Sequence, residues 1–160
     1  MKPILHVFLD VDGVLNNEAA FELNTETIVV LSHENLVVYQ WLIDKLNEKY
    51  EVEIILSSSW RMYKTCVNKI HKYAKKYPAL KYQKQTPDSH KMREDEILEY
   101  CKAHDIDSDS VLIIDDELIT NELKDRHLHT YIRDGLTFKD AEECLHKLGI
   151  LEVNNYDIFI

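Results

Sequence analysis

The sequence predicts an α/β domain in which helices flank a central, mostly parallel sheet. Short apolar runs at residues 4–9, 53–57 and 111–114 have the length and aliphatic content of buried strands. Segments with the helical spacing of apolar residues separate these runs, and strands that alternate with helices are typical of a parallel sheet. A chain of 160 residues has the length of one domain with its own core. We therefore expect residues 1–160 to form a single domain.

The helices are predicted from apolar spacing together with end signals. The first covers residues 33–48, with Ser32 as its N-cap. The second covers 62–77 and stops there because a residue that precedes a proline disfavours the helical conformation. A third helix is predicted over 91–103.

A further, peripheral strand is predicted at 129–132, followed by the last helix. Thr137 and Asp140 form a capping-box pattern at its start, and Gly149 marks its end at about residue 148. The tail at 150–160 is apolar enough to dock on the domain or on another subunit, and the oligomeric state stays open.

The composition is that of an ordinary soluble domain, with 45% hydrophobic and 30% charged residues. We find neither an apolar run long enough to span a bilayer nor a secretion signal. Cys66, Cys101 and Cys144 are widely spaced and odd in number, which indicates free thiols in a reducing compartment. The sequence therefore predicts a cytoplasmic protein without a membrane partner.

Charge is strongly segregated along the chain. Residues 61–93 contain ten lysines and arginines against one acidic residue, a net charge of +9. The total is −10, so the rest of the chain carries −19. A negative net charge normally argues against a nucleic-acid partner, but the basic segment at residues 61–93 keeps such a partner possible.

Asp10 and Asp12 follow the first predicted strand directly, and Gly13 allows the chain to turn there. Two like charges this close, at the end of a buried strand, repel each other and lose hydration. A divalent cation would remove that cost, because hard cations bind oxygen ligands. A plain strand-to-loop exit with a turn glycine explains the same residues, so the pair alone leaves both interpretations open.

Polar and charged side chains also follow the other two core strands. Ligands of parallel α/β sheets bind beyond the carboxyl ends of the strands. Carboxylates, hydroxyls and basic groups at one such edge suit Mg²⁺ and a phosphoryl group. The residues are Ser57, Ser58, Trp60 and Arg61 after the second core strand, and Asp115, Asp116 and Glu117 after the third.

This order of motifs resembles that of the haloacid dehalogenase (HAD) phosphatase superfamily over residues 4–148. The shared pattern is Asp-x-Asp-Gly-Val after strand one, a serine after the next core strand, a Lys/Arg ahead of the third, and Asp-Asp at its end. Ser-Ser-Ser-Trp-Arg at 57–61 and Arg-Glu-Asp-Glu-Ile at 93–97 resemble the HAD-type domains of RNA-repair proteins and of polynucleotide kinase-phosphatases. The resemblance implies a single Rossmann-like HAD domain, and the segments between the motifs are too short for a large cap domain.

The resemblance also implies roles for the acidic residues. Asp10 would be the nucleophile that forms an aspartyl-phosphate, and Asp12 would be the general acid and base. Mg²⁺ would be held by Asp10, by the main-chain carbonyl of Asp12, and by Asp115 or Asp116.

Two further roles each have two candidates. Ser57 would bind the phosphoryl oxygens, with Ser58 as the alternative. Arg93 or Lys91 would neutralise charge on the phosphoryl group that is transferred. Arginine would bind it through two parallel N–H groups, and lysine would act as a single point charge. The expected substrate contacts beside them are Ser58, Trp60 and Arg61.

The implied activity is a Mg²⁺-dependent phosphomonoesterase. An open site suits the terminal phosphate of a polynucleotide, as in a 3′-phosphatase, and residues 61–93 would follow the phosphate backbone. A small nucleotide, a sugar phosphate or a phosphoprotein is the alternative substrate, and a non-catalytic HAD-like binding module is the alternative of another class. A phosphorylatable receiver module fits less well, because its acceptor aspartate ends the third strand.

Two other patterns are not assigned to a metal. Asp105, Asp107 and Asp109 have the spacing of a calcium loop, but a serine stands where that loop needs glycine. His127 and His129 lack a third ligand nearby in the sequence, and we interpret them as part of an ordinary polar segment.

Overall fold

A five-stranded parallel sheet forms the centre of the domain. The computed structural model describes residues 1–22 and 30–151. In chain order, the described strands are β1 (Ile4–Leu9), β2 (Glu51–Leu56), β3 (Lys84–Gln85), β4 (Val111–Asp115) and β5 (His127–His129). Their spatial order is β3-β2-β1-β4-β5, and every neighbouring pair is parallel. The predicted α/β class is confirmed.

Helices cover both faces of this sheet. They are α1 (Glu18–Glu22), α2 (His33–Asn47), α3 (Lys64–Ala74), α4 (Arg93–Ala103) and α5 (Phe138–Lys147). Alternate residues of the central strands point to opposite faces, so two apolar layers form. Val7 and Leu112 belong to the larger layer, together with side chains of α2, α3 and α5. Phe8 and Ile113 belong to the smaller layer under α4.

The predicted helix ends agree with the structure where a cap was identified. The Ser32 side chain accepts a hydrogen bond from the N–H of Asn35 at the start of α2. Thr137 and Asp140 form the complete capping box of α5. Such caps satisfy N–H groups that lack a partner in the first turn.

The second predicted helix is shorter than its apolar pattern. Residues Ser59–Met62 form a 3-10 turn, and Tyr63 is extended, with φ −117° and ψ 118°, so α3 begins only at Lys64. At the other end, Tyr77 is not helical before Pro78, with φ −120° and ψ 83°. The apolar spacing of residues 62–77 therefore continues beyond both ends of the helix, through exposed Met62 and Tyr63 and through buried Tyr77.

The peripheral strand was predicted two residues too late. β5 begins at His127, whose register partner is Ile113 in β4. Beyond it, Tyr131 pairs with Gly135 in an isolated antiparallel bridge, which turns the chain out of the sheet. Neither β3 nor α1 was predicted, because two and five residues are too few to show a period.

In the sheet, β1 lies between β2 and β4. The connections from β1 to β2 and from β2 to β4 thus lead to opposite sides of β1, and a crevice forms beyond its carboxyl end. No helix within residues 1–22 and 30–151 is long and apolar enough to cross a membrane. Most of the apolar tail, residues 152–160, lies outside the described part of the chain, although Ile150 and Leu151 pack against the larger apolar layer.

Candidate active site

Three neighbouring strands bring the predicted motifs together at one edge. Asp10 follows β1, Ser57 follows β2, and Asp115 is the last residue of β4. The sheet pairing continues past the strand ends: the N–H of Asp10 donates to the carbonyl of Ile114 at 3.0 Å, and the N–H of Ser57 donates to that of Leu9 at 3.0 Å. These backbone hydrogen bonds fix the positions of the Cα atoms from which the Asp10 and Ser57 side chains extend.

Three carboxylates form a compact cluster at this edge. Asp10, Asp115 and Asp116 each offer an oxygen, and these oxygens lie within 4.8 Å of one another. Asp10 and Asp115 are buried. Burial, followed by the charge of Asp10, raises the pKa of Asp115 above its usual range, although Arg93 opposes this rise. Burial and the hydrogen bond and charge of Asp10 likewise raise the pKa of Asp116.

These donors fit a magnesium ion. They are hard carboxylate oxygens, which Mg²⁺ prefers, and they are crowded enough that their ionised forms repel one another. A divalent cation among them would offset both the repulsion and the lost hydration. Asp10, Asp115 and Asp116 are therefore the residues that could hold the metal.

Gly13 is required by the loop that faces this cluster. Its φ is +78°, a conformation that favours glycine, and a Cβ there would overlap the Asp116 carboxylate. The hydroxyl of Thr130 donates to the Gly13 carbonyl at 2.7 Å, and the N–H of Thr130 donates to the Asp115 carbonyl at 3.1 Å. Thr130 thus joins the loop after β1 to the loop after β4.

Arg93 is the basic residue at the site. Its Nη1 lies 2.8 Å from Oδ2 of Asp115 and 3.2 Å from Oδ1 of Asp10. Burial opposes its charge, but the attraction of Asp10, Asp115 and Glu117 outweighs this and raises the pKa of Arg93. Lys91 points elsewhere: it is exposed and pairs with Glu99. The structure thus brings Arg93, and not Lys91, to the carboxylate cluster.

The two candidate serines differ in their hydrogen bonds. The Ser58 hydroxyl accepts the N–H of Trp60 at 3.1 Å and so caps the 3-10 turn. Ser57 is fully buried, and within the described residues its Oγ has no hydrogen-bond partner. A buried hydroxyl without a partner costs free energy, which a phosphoryl oxygen bound there would recover. This difference favours Ser57 as the phosphoryl contact.

Asp12 stands apart from the carboxylate cluster and is held by two neutral donors. Its Oδ1 accepts Nδ2 of Asn16 at 2.9 Å and the indole Nε1 of Trp60 at 3.1 Å. Asn16 in turn accepts the N–H of Gly13 at 2.9 Å. Both donors bind the same oxygen, so the carboxylate is oriented with Oδ2 directed away from them.

Comparison of the sequence with models of known protein families identifies the domain. The family model of the HAD domain in Swiss Army Knife RNA repair proteins matches residues 6–141. The chain belongs to this family. Its HAD motifs all converge at the carboxyl ends of β1, β2 and β4. The domain is accordingly an HAD-type phosphatase, a phosphoric monoester hydrolase.

Two solved structures to which this domain is similar are distant from it in sequence. A protein from Vibrio cholerae assigned as a 3-deoxy-D-manno-octulosonate 8-phosphate phosphatase has 17% identity and a TM-score of 0.50, over 96% of this chain and 89% of that one. The hypothetical protein XCC2798 from Xanthomonas campestris has 17% identity and a TM-score of 0.48, over 92% and 84%. The comparison with curated proteins gave no significant match.

Two residues of the HAD domain that were predicted to contact substrate are buried instead. Trp60 is only 3% exposed, so its ring has no free face for a base. Arg61 is 8% exposed and donates to the carbonyls of Ser57 at 3.1 Å, Ser58 at 2.8 Å and Thr86 at 2.8 Å. Its remaining nitrogen pairs with Glu96 at 2.9 Å. Because the polar groups of both side chains bind other parts of the protein, the contact of Trp60 and Arg61 with substrate stays a prediction.

Asn16 and Glu96 are the site residues that the sequence analysis missed. Asn16 lies two residues after the first motif, and its short amide side chain close to Asp12 was the available signal. Glu96 carries no local signal, since its partner Arg61 is 35 residues away. Glu96 and Arg93 stand one turn apart on α4, so this helix holds both the loop after β2 and the carboxylate cluster.

Proposed function

We propose that this HAD domain is a Mg²⁺-dependent phosphomonoesterase that works through an aspartyl-phosphate on Asp10 and acts on the phosphorylated end of a polynucleotide. The chemistry rests on one observation. The Asp10–Asp115–Asp116 cluster contacts Arg93, and the unpartnered hydroxyl of Ser57 follows the neighbouring strand at the same edge of the sheet. The nucleophile, the basic Arg93 and the phosphoryl-binding hydroxyl would then all act at the same edge of the sheet.

In the first step, an Asp10 oxygen attacks phosphorus and the bond to the leaving oxygen breaks. Arg93 and Ser57 stabilise the charge on the phosphoryl oxygens while this happens. A magnesium ion held by Asp10, Asp115 and Asp116 would supply the charge that lets an anionic nucleophile approach an anionic phosphate. The backbone of Asp10, Ser57 and Asp115 is fixed by the sheet, so these side chains lose little orientational freedom when substrate binds.

Asp12 carries the proton in this proposal. It protonates the leaving oxygen in the first step and takes a proton from the water that hydrolyses the aspartyl-phosphate in the second. Because Asn16 and Trp60 both bind Oδ1, the proton moves through Oδ2.

A polynucleotide end as substrate is supported by the family, whose members are RNA repair proteins, and by the basic segment. Fewer of its basic residues can bind a substrate than the sequence suggested, because Arg61 and Arg93 already form ion pairs within the protein. Lys64, at the start of α3, is exposed and is seven residues beyond Ser57. Within the described residues no inserted domain lies between the site motifs, an arrangement that suits a long substrate.

The substrate is tested by comparing p-nitrophenyl phosphate with a 3′-phosphorylated oligonucleotide. We expect phosphate release that EDTA abolishes and Mg²⁺ restores, with kcat/KM at least about 10² higher for the oligonucleotide. The preference for the oligonucleotide should fall as the salt concentration rises, with the slope expected for about one or two phosphate contacts. Release from neither substrate would contradict the phosphatase. Equal kcat/KM values without salt dependence would contradict the polynucleotide and favour a small phosphate ester.

The Trp60→Phe variant tests the role of Asp12. It keeps an aromatic ring in the core but removes the indole donor, so Asp12 loses orientation. We expect kcat for glycerol 2-phosphate, whose alkoxide leaves poorly without a proton, to fall about 3- to 10-fold. The nitrophenolate of p-nitrophenyl phosphate leaves readily, so kcat for that substrate should change far less. An equal loss for both substrates would show only a packing defect and would contradict this role.

A further inference from the structure

A column of three stacked aromatic rings ends at the catalytic edge and has no part in the chemistry above. The ring centroids of His127 and His129 are 4.9 Å apart, and those of His129 and Tyr131 are 4.5 Å apart. The ring planes are within 20° and 23° of parallel. The three residues alternate along β5 and its extension, so their side chains lie on one side of the strand.

The column is attached to the loop that carries the metal-binding carboxylates. Nε2 of His127 lies 2.9 Å from the carbonyl oxygen of Asp115, and Nε2 of His129 lies 3.1 Å from that of Asp116. A carbonyl only accepts, so both imidazoles donate through Nε2. The hydrogen bonds fix the ring planes and therefore fix the ring that stacks on them.

Tyr131 is the open end of the column. Its side chain is exposed, with 64% of its surface accessible. Its carbonyl accepts the N–H groups of Asp134 at 3.1 Å and Gly135 at 2.8 Å, which holds the backbone in a tight turn. Thr130, which contacts the loops of Gly13 and Asp115, is one residue step away, about 3.8 Å between Cα atoms. A rigid aromatic face is thus presented to solvent beside the site.

We propose that Tyr131 stacks on the base of the terminal nucleotide whose phosphate Asp10 attacks. This inference rests on the proposed polynucleotide substrate and adds the subsite that recognises it. Every base has a flat face, so stacking binds any sequence and suits an enzyme that must accept many ends. The column is ordered before binding, so little freedom is lost when the base arrives.

The cleft beside Tyr131 has groups that can hydrogen-bond a base. Tyr131 lines a cleft of about 360 Å³ between β5 and α5, a volume in the range of small-ligand sites. The charged lining has both signs, with carboxylates that can accept hydrogen bonds from base amino groups (Asp125, Asp140 and Glu143) beside two basic side chains (Arg126 and Lys147). Arg133, two residues after Tyr131, is exposed, and its Nε lies 4.0 Å from Oδ1 of Asp134, so its guanidinium can also pair with the next phosphate of the chain.

The test compares two 3′-phosphorylated oligonucleotides that differ only in whether the terminal nucleotide has its base. For the unaltered domain we expect kcat/KM to be about 10-fold higher with the base present. In Tyr131→Ala this preference should fall to about one, whereas Tyr131→Phe, which keeps the ring, should retain it. Tyr63→Ala is the control, because Tyr63 is an exposed aromatic residue after β2 and should retain the preference.

The results separate the two proposals. A base preference that survives in Tyr131→Ala, or that is lost in Tyr63→Ala instead, would overturn the Tyr131 subsite while leaving the polynucleotide substrate intact. A domain that hydrolyses p-nitrophenyl phosphate as well as either oligonucleotide would refute the polynucleotide substrate and the subsite with it.

Discussion

Replacing Asp10 with asparagine is expected to reduce phosphate release by at least about 10³-fold with every phosphate ester. The amide is a poor nucleophile, so the aspartyl-phosphate does not form. The same change removes one of the three carboxylates that could hold the metal. The measurement is Mg²⁺-dependent release of inorganic phosphate from p-nitrophenyl phosphate and from a 3′-phosphorylated oligonucleotide.

The Asp10→Asn fold should remain intact. The substitution is nearly isosteric and removes a charge from a crowded, buried cluster, which offsets the partner that Arg93 loses. The matched control is Asp107→Asn, an exposed aspartate before β4, which should retain full activity. Unimpaired release by a folded Asp10→Asn protein would refute the assigned nucleophile.

The positions of the catalytic side chains could be predicted because they depend on strand ends. A buried parallel strand is a short apolar run, and the polar residue after it must lie at the carboxyl edge. Asp10, Ser57 and Asp115 each follow from this rule without knowledge of the strand order. The helix caps at Ser32 and Thr137 were predictable for a similar reason, since a cap is a local hydrogen bond.

The choice between candidates could not be made from sequence. Lys91 and Arg93 are two residues apart, and which one reaches the cluster depends on where α4 begins. Ser57 and Ser58 are adjacent, and they differ only because the N–H of Trp60 binds one of them. Such distinctions require the backbone path, which composition and spacing leave open.

The burial of Trp60 and Arg61 could not be predicted for a different reason. Trp60 and Arg61 were predicted to contact substrate because they follow the site directly and carry suitable groups. Their donors bind Asp12 and backbone carbonyls of the protein, and the partner Glu96 is far away in sequence. A buried arginine looks like a surface arginine until its distant partner is known.

The ion pair of Arg61 and Glu96 gives the largest expected effect on stability. Its atoms lie 2.9 Å apart and both side chains are at least nine-tenths buried. Glu96→Gln leaves the Arg61 guanidinium buried without a counter-charge, which we expect to lower the free energy of unfolding by about 3–5 kcal/mol. Domains are stable by about 5–15 kcal/mol, so this is a large part of the total. Urea unfolding followed by circular dichroism measures it.

The matched control is Glu99→Gln, one turn along α4, whose partner Lys91 is exposed. An exposed pair of this kind contributes little, so the urea midpoint should hardly move. A Glu96→Gln midpoint equal to that of Glu99→Gln would mean that the buried pair does not stabilise the fold.

The double variant Arg61→Met with Glu96→Leu separates stability from activity. Replacing both partners by apolar side chains removes the unpaired charge, so much of the lost stability should return. Activity should stay low, because the carbonyls of Ser57, Ser58 and Thr86 lose the guanidinium that holds their loops together. Recovery of both would show that the pair serves folding alone. A stable but slow enzyme would mean that Arg61 acts through Ser57, by fixing the backbone from which that hydroxyl reaches the phosphoryl group.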